Sequence, residues 1–279
     1  MSLILRLEQI AEGDRARTGG KAFALAAMRK QGLNIPQALC VCTEAYHAYV
    51  DSAGLRDRVF MEIHRKAFED MRWEEIWDAG LRIRGRFLRS PLPAALREAL
   101  TDAIEARFHG VPVAVRSSAP GEDGRGASFA GLHDSFVNVQ GTEEILRHIP
   151  MVWASLWSDR GLLSRRELAL DVDASSMAVI VQALVRGERS GVAFSRHPSE
   201  PDQSAVEAVY GLNQGLVDGS VEPDRWLLAR ADRRLLEHLP PSSARRQLAA
   251  AGELPVEVPE PAGSEPPLDP AAVAEVAAA

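Results

Sequence analysis

The sequence has little that would tie the protein to a membrane, a nucleic acid or a disulfide-stabilised scaffold. Only two of the 279 residues are cysteine, and no apolar run approaches the length of a membrane span. The N-terminus shows no basic segment followed by an apolar run and a small-residue cleavage site. The net charge is -7, so no overall positive field favours nucleic acid or an anionic membrane. We therefore expect a cytoplasmic protein that binds neither of them.

The two cysteines, Cys40 and Cys42, lie one residue apart in an apolar segment. This spacing places both on one face of a predicted strand, where we interpret them as small buried hydrophobic side chains. No other cysteine or histidine lies at a spacing that fits a metal site, so we predict no metal ligand in this chain. Hydrophobic residues make up 46% of the sequence, enough for one large domain or two smaller ones.

The hydrophobic patterns change along the chain and predict an α+β or α/β protein with two lobes, of which we expect α+β. Residues 19–33 predict a glycine turn and a helix, and apolar residues at helical spacing in residues 58–100 predict two or three more helices. Beyond residue 112 alternating apolar residues predict strands, with two further helices within residues 142–170. No internal repeat is present.

We expect three segments. Residues 1–110 would form a partly helical N-terminal lobe, and residues 111–239 would form a strand-rich lobe. Residues 240–279 contain eight of the 17 prolines and are expected to be an extended surface segment. Asp269 as N-cap and Pro270 at the first helical position predict a helix near the end of this segment.

Two segments combine glycine or serine with a basic side chain. Lys21 follows Gly19 and Gly20 at the start of a predicted helix, where the backbone can approach an anion closely. Arg116 ends a predicted strand and precedes a loop of small residues within the stretch VAVRSSAPGEDGRGASFAGLHDSF. Such a loop can fold over a triphosphate, and an arginine fork matches phosphate oxygens. A surface lysine and a long disordered loop remain the plain alternatives.

Two polar residues interrupt apolar strands further along the chain. Gln182 lies in a predicted strand and is either a hydrogen-bonded core residue or part of an adenine pocket. Glu207 lies in a second predicted strand just before a glycine-rich turn. It is either a buried paired carboxylate or a site residue.

Five segments in this order resemble the N-terminal nucleotide-binding region of the phosphoenolpyruvate synthase and pyruvate, phosphate dikinase family, which includes the rifampicin phosphotransferases. Together they cover most of residues 19–224. The segments are GGKAFALAAM…GLNIPQALCVCTEAYHAYV, VAVRSSAPGEDGRGASFAGLHDSFVNVQG, SLWSDRGLLSRRE, MAVIVQALVRGERSGVAFSRHP and EAVYGLNQGLVDGSVEPD.

The resemblance implies a two-lobed ATP-grasp nucleotide-binding fold and an ATP-dependent phosphotransferase that passes a phosphoryl group to a histidine on a separate swivelling domain. It also implies a role for each matching position. Lys21 and Arg116 would contact the phosphates and take part in catalysis. The further ATP contacts would be Gly131 and Ser135 along the hairpin and Gln182 with the backbone from Ala183 to Val185 at the adenine. Glu207 would lie near the ribose or the cleft between the lobes.

The sequence also departs from the family pattern. Asn213 and Gln214 stand where the resemblance leads us to expect glycine and glutamate, and His133 is interpreted as a loop residue. The resemblance places the magnesium ligands, the last subdomain elements and the phosphohistidine domain beyond residue 279. We therefore expect an ATP-binding portion that is inactive alone and works with magnesium and a histidine domain of a longer chain or partner subunit. A non-catalytic nucleotide-binding module or a subunit of a split phosphotransferase is the alternative.

Overall fold

The computed structural model describes residues 2–120, 132–168, 170–242, 245–248, 256–259 and 265–278. The chain divides into two compact units, Met1–Leu184 and Val185–Ala279, and each is considered by itself. Within the described ranges, every helix is too short or too polar to cross a bilayer.

The first unit combines seven α-helices with a five-stranded sheet over its described residues. The strands are β1 (Ile4–Arg6), β2 (Ala38–Val41), β3 (Val113–Ser118), β4 (Ser135–Val139) and β5 (Ala178–Ala183). The helices are α1 (Arg15–Lys30), α2 (Thr43–Ser52), α3 (Leu55–Ile63), α4 (Trp73–Arg89), α5 (Ala94–Phe108), α6 (Thr142–Ser155) and α7 (Asp159–Glu167).

The five strands are antiparallel and follow the order β1-β2-β5-β3-β4. Because side chains alternate along a strand, each strand contributes to both faces of the sheet. One face carries valines and leucines that pack against helices α2 to α7 in the larger core. The other face carries Ala38, Cys40, Ala178 and Ile180 and packs against the alanines of α1 in a smaller core. Both faces of the central strands are therefore buried, which explains their continuous apolar runs.

Cys40 and Cys42 lie in the smaller core, as the sequence predicts. Both are free thiols, and both are fully buried. Burial and the neighbouring Cys42 raise the pKa of Cys40. The two residues therefore serve as small packing side chains within the unit.

The division between the units differs from the one expected at residue 110. Strands β3, β4 and β5 were assigned to a separate strand-rich lobe, yet β5 pairs directly with β2, and β3 pairs with β5. A pairing between residues 38–41 and 179–182 joins segments that are about 140 residues apart in the sequence. The first unit consequently extends to Leu184.

The second unit contains a four-stranded antiparallel sheet of order β6-β7-β8-β9. Helix α9 covers one face of this sheet, where Val273 packs with Val206, Ala208, Trp226 and Leu228. The elements of the unit are β6 (Arg189–Phe194), β7 (Gln203–Tyr210), α8 (Gln214–Asp218), β8 (Asp224–Ala229), β9 (Leu235–Leu239), the paired strands β10 (Arg245–Leu248) and β11 (Val256–Pro259), and α9 (Pro270–Ala278).

The start of α9 agrees with the sequence prediction. The Asp269 side chain accepts a hydrogen bond from the backbone N–H of Ala272 at 2.8 Å, and Pro270 is the first helical residue. The aspartate thereby satisfies one of the backbone donors that a helix leaves unpaired at its N-terminus.

Candidate functional site

The glycine turn predicted before Lys21 interrupts α1. Gly19 has φ +73° and ψ 171°, a backbone conformation that only glycine adopts without strain. A Cβ atom at Gly19 would lie 2.1 Å from the carbonyl oxygen of Ser118, at the end of β3. Gly19 is therefore required both by its backbone angle and by the close approach of α1 to β3.

Ser118 connects this turn to the sheet through side-chain hydrogen bonds. Its hydroxyl donates to the carbonyl oxygen of Thr18 at 2.7 Å and accepts from the backbone N–H of Ala22 at 3.1 Å. The backbone N–H of Gly20 donates to the carbonyl oxygen of Ala119 at 3.4 Å. Because Ser118 is fully buried, these bonds are shielded from water and fix the position of Lys21.

Lys21 and Arg116 lie near the same end of β3. The Nζ atom of Lys21 donates to the hydroxyl of Ser117 at 3.5 Å. Arg116 is paired across the sheet with Ile180 on one side and with Ser135 on the other. Residues that are directly opposite in an antiparallel pair point to the same face. Arg116 and Ser135 therefore share the sheet face that packs against α1.

Gln182 lies on this same face, toward the other end of the strands. It is paired with Ala38 and Ala114, and it is buried. It lies two residues along β5 from Ile180, which pairs with Arg116, so Gln182 and Arg116 are offset by about 7 Å along the strands.

Two backbone N–H groups that follow Gln182 already donate hydrogen bonds within the first unit. The N–H of Ala183 donates to the carbonyl of Gln37 at 2.8 Å, and the N–H of Leu184 donates to the carbonyl of Pro112 at 2.9 Å. Neither N–H is therefore available to an adenine ring. The predicted contacts of this segment are limited to its carbonyl oxygens and to the N–H of Val185.

Glu207 is a paired carboxylate, which was one of its two predicted alternatives. It lies in β7, and Arg225 of β8 donates from Nε to its Oε1 atom at 2.6 Å. Glu207 and Val185 both belong to the second unit, so they are not part of the sheet face described above. Gly131 lies outside the described residues. Arg116, Ser135 and Gln182 are the predicted residues that share this face. Lys21 lies at the end of β3, where its ammonium reaches Ser117, a residue that pairs with Val179 on the other face.

His133 was interpreted as a loop residue, and it does lie between elements, but its ring is largely buried. Its Nδ1 atom is inaccessible and has no hydrogen-bond partner among the described residues, while the carbonyl of Ser155 faces the ring. Burial, together with the positive charges of Arg165 and Lys21, lowers the pKa of His133 to about 4. The neutral imidazole is therefore the form that this environment stabilises.

Arg165 is a second basic residue that the sequence analysis did not single out. It is buried on α7 and donates from Nη1 to the carbonyls of Leu156 and Gly161 at 2.7 and 2.9 Å. Burial lowers its pKa to about 10, and no carboxylate in the described part of the chain pairs with it. No local pattern marks His133 or Arg165, because their neighbours come from distant segments.

The charges around Lys21 favour an anionic ligand. Lys21, His133 and Arg165 are close enough for the two cations to lower the pKa of the imidazole. Within the described ranges, no cluster of three histidine, cysteine, aspartate or glutamate residues could hold a metal ion. The described residues therefore fit phosphate groups and do not by themselves fit a magnesium site.

Sequence comparison identifies the class of protein to which this site belongs. The chain matches the family described as pyruvate phosphate dikinase, AMP/ATP-binding domain, over residues 15–279, and it belongs to that family. This match confirms the resemblance inferred from the five ordered segments. Lys21, Arg116, Ser135 and Gln182 all lie within the matched region.

Individual relatives are considerably longer than this chain. It is 38% identical to a phosphoenolpyruvate synthase of Aeropyrum pernix over 84% of this chain and 29% of the relative. It is 36% identical to a rifampicin phosphotransferase of Streptomyces sviceus over 79% of this chain and 26% of the relative. A prodigiosin synthesizing transferase of Serratia marcescens is 31% identical over 79% of this chain and 23% of the relative. The chain thus spans less than a third of these curated relatives.

Replacing Gly19 by alanine is expected to lower the free energy of unfolding by roughly 2–4 kcal/mol, since it combines backbone strain with a backbone clash. Gly32→Ala is the matched control, because Gly32 also has positive φ but a Cβ there meets no atom within 4 Å. The control should cost only about 1–2 kcal/mol. Urea unfolding of both variants measures the difference, and equal losses would contradict the close approach to Ser118.

The buried His133 is expected to make stability depend on pH. Its pKa is about 4 in the folded chain, against 6.5 for an ordinary histidine, so the unfolded chain binds more protons between these values. The free energy of unfolding should therefore decrease as the pH falls through this window. Between pH 7 and pH 5 the wild type should lose about 2 kcal/mol more than His133→Gln in urea unfolding. Equal losses in the two proteins would show that His133 titrates normally.

Proposed function

We propose that the chain binds ATP through the first unit, with the phosphates at Lys21 and Arg116 and the adenine near Gln182. The observation that carries the proposal is the shared face of Arg116, Ser135 and Gln182, with Lys21 fastened beside it by Ser118. The membership in an AMP/ATP-binding domain family supports the same ligand.

The positive charges of Lys21 and Arg116 are the reason for placing the phosphates of ATP at these two residues. Lys21 supplies a compact ammonium and Arg116 a planar fork of donors, and the two suit phosphate oxygens in different ways. The hydroxyl of Ser135, on the strand next to Arg116, adds a neutral donor. In this proposal His133 remains neutral, and Arg165 and Lys21 are the positive charges near it. Gly131 would line the same hairpin, by the family resemblance alone.

The side-chain amide of Gln182 is the reason for placing the adenine ring near this residue. An amide both donates and accepts, so it can match the paired donor and acceptor of an adenine edge. The carbonyl of Ala183 and the N–H of Val185 would complete this recognition. Glu207 would lie toward the ribose by resemblance, although its carboxylate is held by Arg225.

We further propose that this binding serves a phosphotransferase of the dikinase type. In such an enzyme the chain would hold ATP while a phosphoryl group passes to a histidine on a separate domain of the longer protein or of a partner subunit. The names of the phosphoenolpyruvate synthase and rifampicin phosphotransferase relatives support this class. Magnesium, when bound by ligands outside the described residues, would neutralise charge on the phosphates.

Removing either phosphate-binding cation should weaken nucleotide binding. Lys21→Ala and Arg116→Ala are each expected to lower the affinity for ATP by about 10- to 100-fold, because each removes a charge-assisted hydrogen bond. Calorimetric titration with ATP, with and without magnesium, measures the effect. Lys30→Ala is the control on the same helix, since its Nζ atom is bound to the carbonyl of Ile10. Unchanged affinity in both test variants would refute the proposed phosphate site.

The two ends of the site can be tested separately. Gln182→Met preserves approximate size and removes the amide, so ATP affinity should fall about tenfold while binding of inorganic tripolyphosphate stays at the wild-type level. Lys21→Ala should weaken both ligands, because both present phosphates. Competitive titration of the two ligands provides the comparison. If Gln182→Met weakens tripolyphosphate as much as ATP, Gln182 acts on the fold and not on the adenine.

A further inference from the structure

A cavity of about 220 Å³ lies in the first unit beside helices α2 and α3. Its walls include the rings of Tyr46 and Trp157, which are buried, and of Phe60, which is half-exposed. Val50 and Val59 add to the apolar lining. Since an apolar cavity of about 150 Å³ can hold a benzene molecule, this one has room for one aromatic ring and a small polar substituent.

The cavity lies on the other side of the sheet from the proposed ATP contacts. Tyr46 and Trp157 belong to the larger core, whereas Arg116 and Gln182 lie on the face that carries the smaller core. A ligand in this cavity would therefore occupy a site of its own, and its binding does not depend on the proposed nucleotide site.

Contacts within the unit hold the aromatic walls in place. The hydroxyl oxygen of Tyr46 accepts a hydrogen bond from Nε1 of Trp157 at 3.2 Å. The ring of Tyr46 also packs against Phe87 and Trp153, with centroids 6.2 and 6.0 Å apart. The walls are thus formed without a ligand, as is usual for small-molecule sites.

Three hydrogen-bond donors around the cavity lack a protein acceptor. The Oγ atom of Ser175 is inaccessible and has no partner among the described residues. Burial raises the pKa of Tyr46, so its phenol stays protonated, and no acceptor for that hydrogen lies in the described part of the chain. Arg56 donates only from Nε, to Asp51 at 2.7 Å, and over the same ranges both of its Nη groups lack a protein partner. Buried polar groups are normally paired, so these donors favour a ligand that accepts.

Asp173 is a carboxylate that lines the cavity, and it is already paired. Both of its oxygens lie 3.0 Å from Nε2 of His64, whose ring is packed against Phe60 with centroids 4.2 Å apart. The donors at the cavity are therefore available to a ligand, whereas this acceptor is engaged. The matching ligand carries acceptor oxygens on an aromatic ring.

We propose that this cavity binds a monocyclic aromatic carboxylate, with the ring among Tyr46, Phe60 and Trp157 and the carboxylate at Arg56 and Ser175. The two Nη groups of an arginine match the two oxygens of a carboxylate, and aromatic rings pair favourably with one another. A ligand with about nine non-hydrogen atoms is expected to bind with a dissociation constant on the order of 1 mM.

The first test measures the recognition of the carboxylate. Fluorine NMR titration of the 279-residue chain should show that 4-fluorobenzoate binds at least about tenfold more tightly than 4-fluorobenzyl alcohol, which has the same ring without the charge. Arg56→Gln should weaken 4-fluorobenzoate about tenfold and leave the alcohol unchanged. Arg58→Gln is the matched control, because Arg58 is an exposed arginine of α3 that does not line the cavity. This control should bind both probes like the wild type.

The second test separates ligand binding from stability. Ser175→Ala should weaken 4-fluorobenzoate about three- to tenfold, while the unfolding temperature without ligand stays the same or rises, because the hydroxyl has no protein partner to lose. A purely structural role of Ser175 would instead lower the unfolding temperature.

The third test concerns the ring. Phe60→Ala should weaken both fluorinated probes about three- to tenfold, since it removes one aromatic wall. Met61→Ala is its control, because Met61 is the next residue of α3, is 58% exposed against 54% for Phe60, and does not line the cavity. Circular dichroism confirms that both variants remain folded.

Three outcomes would overturn the proposal. The first is that 4-fluorobenzoate shows no saturable binding to the wild-type chain up to about 20 mM, which would leave the cavity to water. The second is that 4-fluorobenzyl alcohol binds as tightly as 4-fluorobenzoate, which would mean that the cavity does not recognise the carboxylate. The third is an equal effect of Arg56→Gln and Arg58→Gln, which would place the binding elsewhere on the molecule.

Discussion

The contact between the Gly19 turn of α1 and the Ser118 end of β3 is the constraint on which the candidate site depends. It requires a residue without a side chain at Gly19 and a hydroxyl at Ser118 that can donate to one backbone group and accept from another. A larger residue at Gly19 would separate helix from strand, and an apolar residue at Ser118 would leave two buried backbone groups unpaired. Gly19 and Ser118 thereby fix the backbone position of Lys21 relative to β3.

The sheet explains how residues that are distant in the sequence reach one surface. Side chains alternate along β3 and β5, so their valines lie in the larger core, while Arg116 and Gln182 lie on the opposite face with the small residues of α1 and β2. If the pairing of β3 with β5 shifted by one residue, their apolar and polar positions would no longer match. The burial of the valines therefore determines the register of β3 against β5. That register in turn determines that Arg116 and Gln182 share one face.

Local features of the molecule could be predicted from the sequence, and non-local ones could not. The turn at Gly19 and the cap at Asp269 depend on residues within one helical turn, so their patterns were sufficient. The boundary after Leu184 depends on the pairing of β5 with β2, which leaves no mark near residue 184. For Gln182 and Glu207, sequence reasoning left two alternatives each, because the partner of a polar residue in a strand belongs to another strand.

His133 shows why part of the site escaped prediction. The elements packed against its ring supply Lys21 from α1, the Ser155 carbonyl from α6 and Arg165 from α7, while the adjacent Asp134 lies 3.9 Å from Arg84 of α4. Two buried or half-buried cations near one another repel each other, and a protonated imidazole beside them would add to the repulsion. Keeping the ring neutral limits this repulsion, and an incoming phosphate would relieve what remains. An anionic ligand at these cations, as proposed above, would thus offset part of the cost of holding them together.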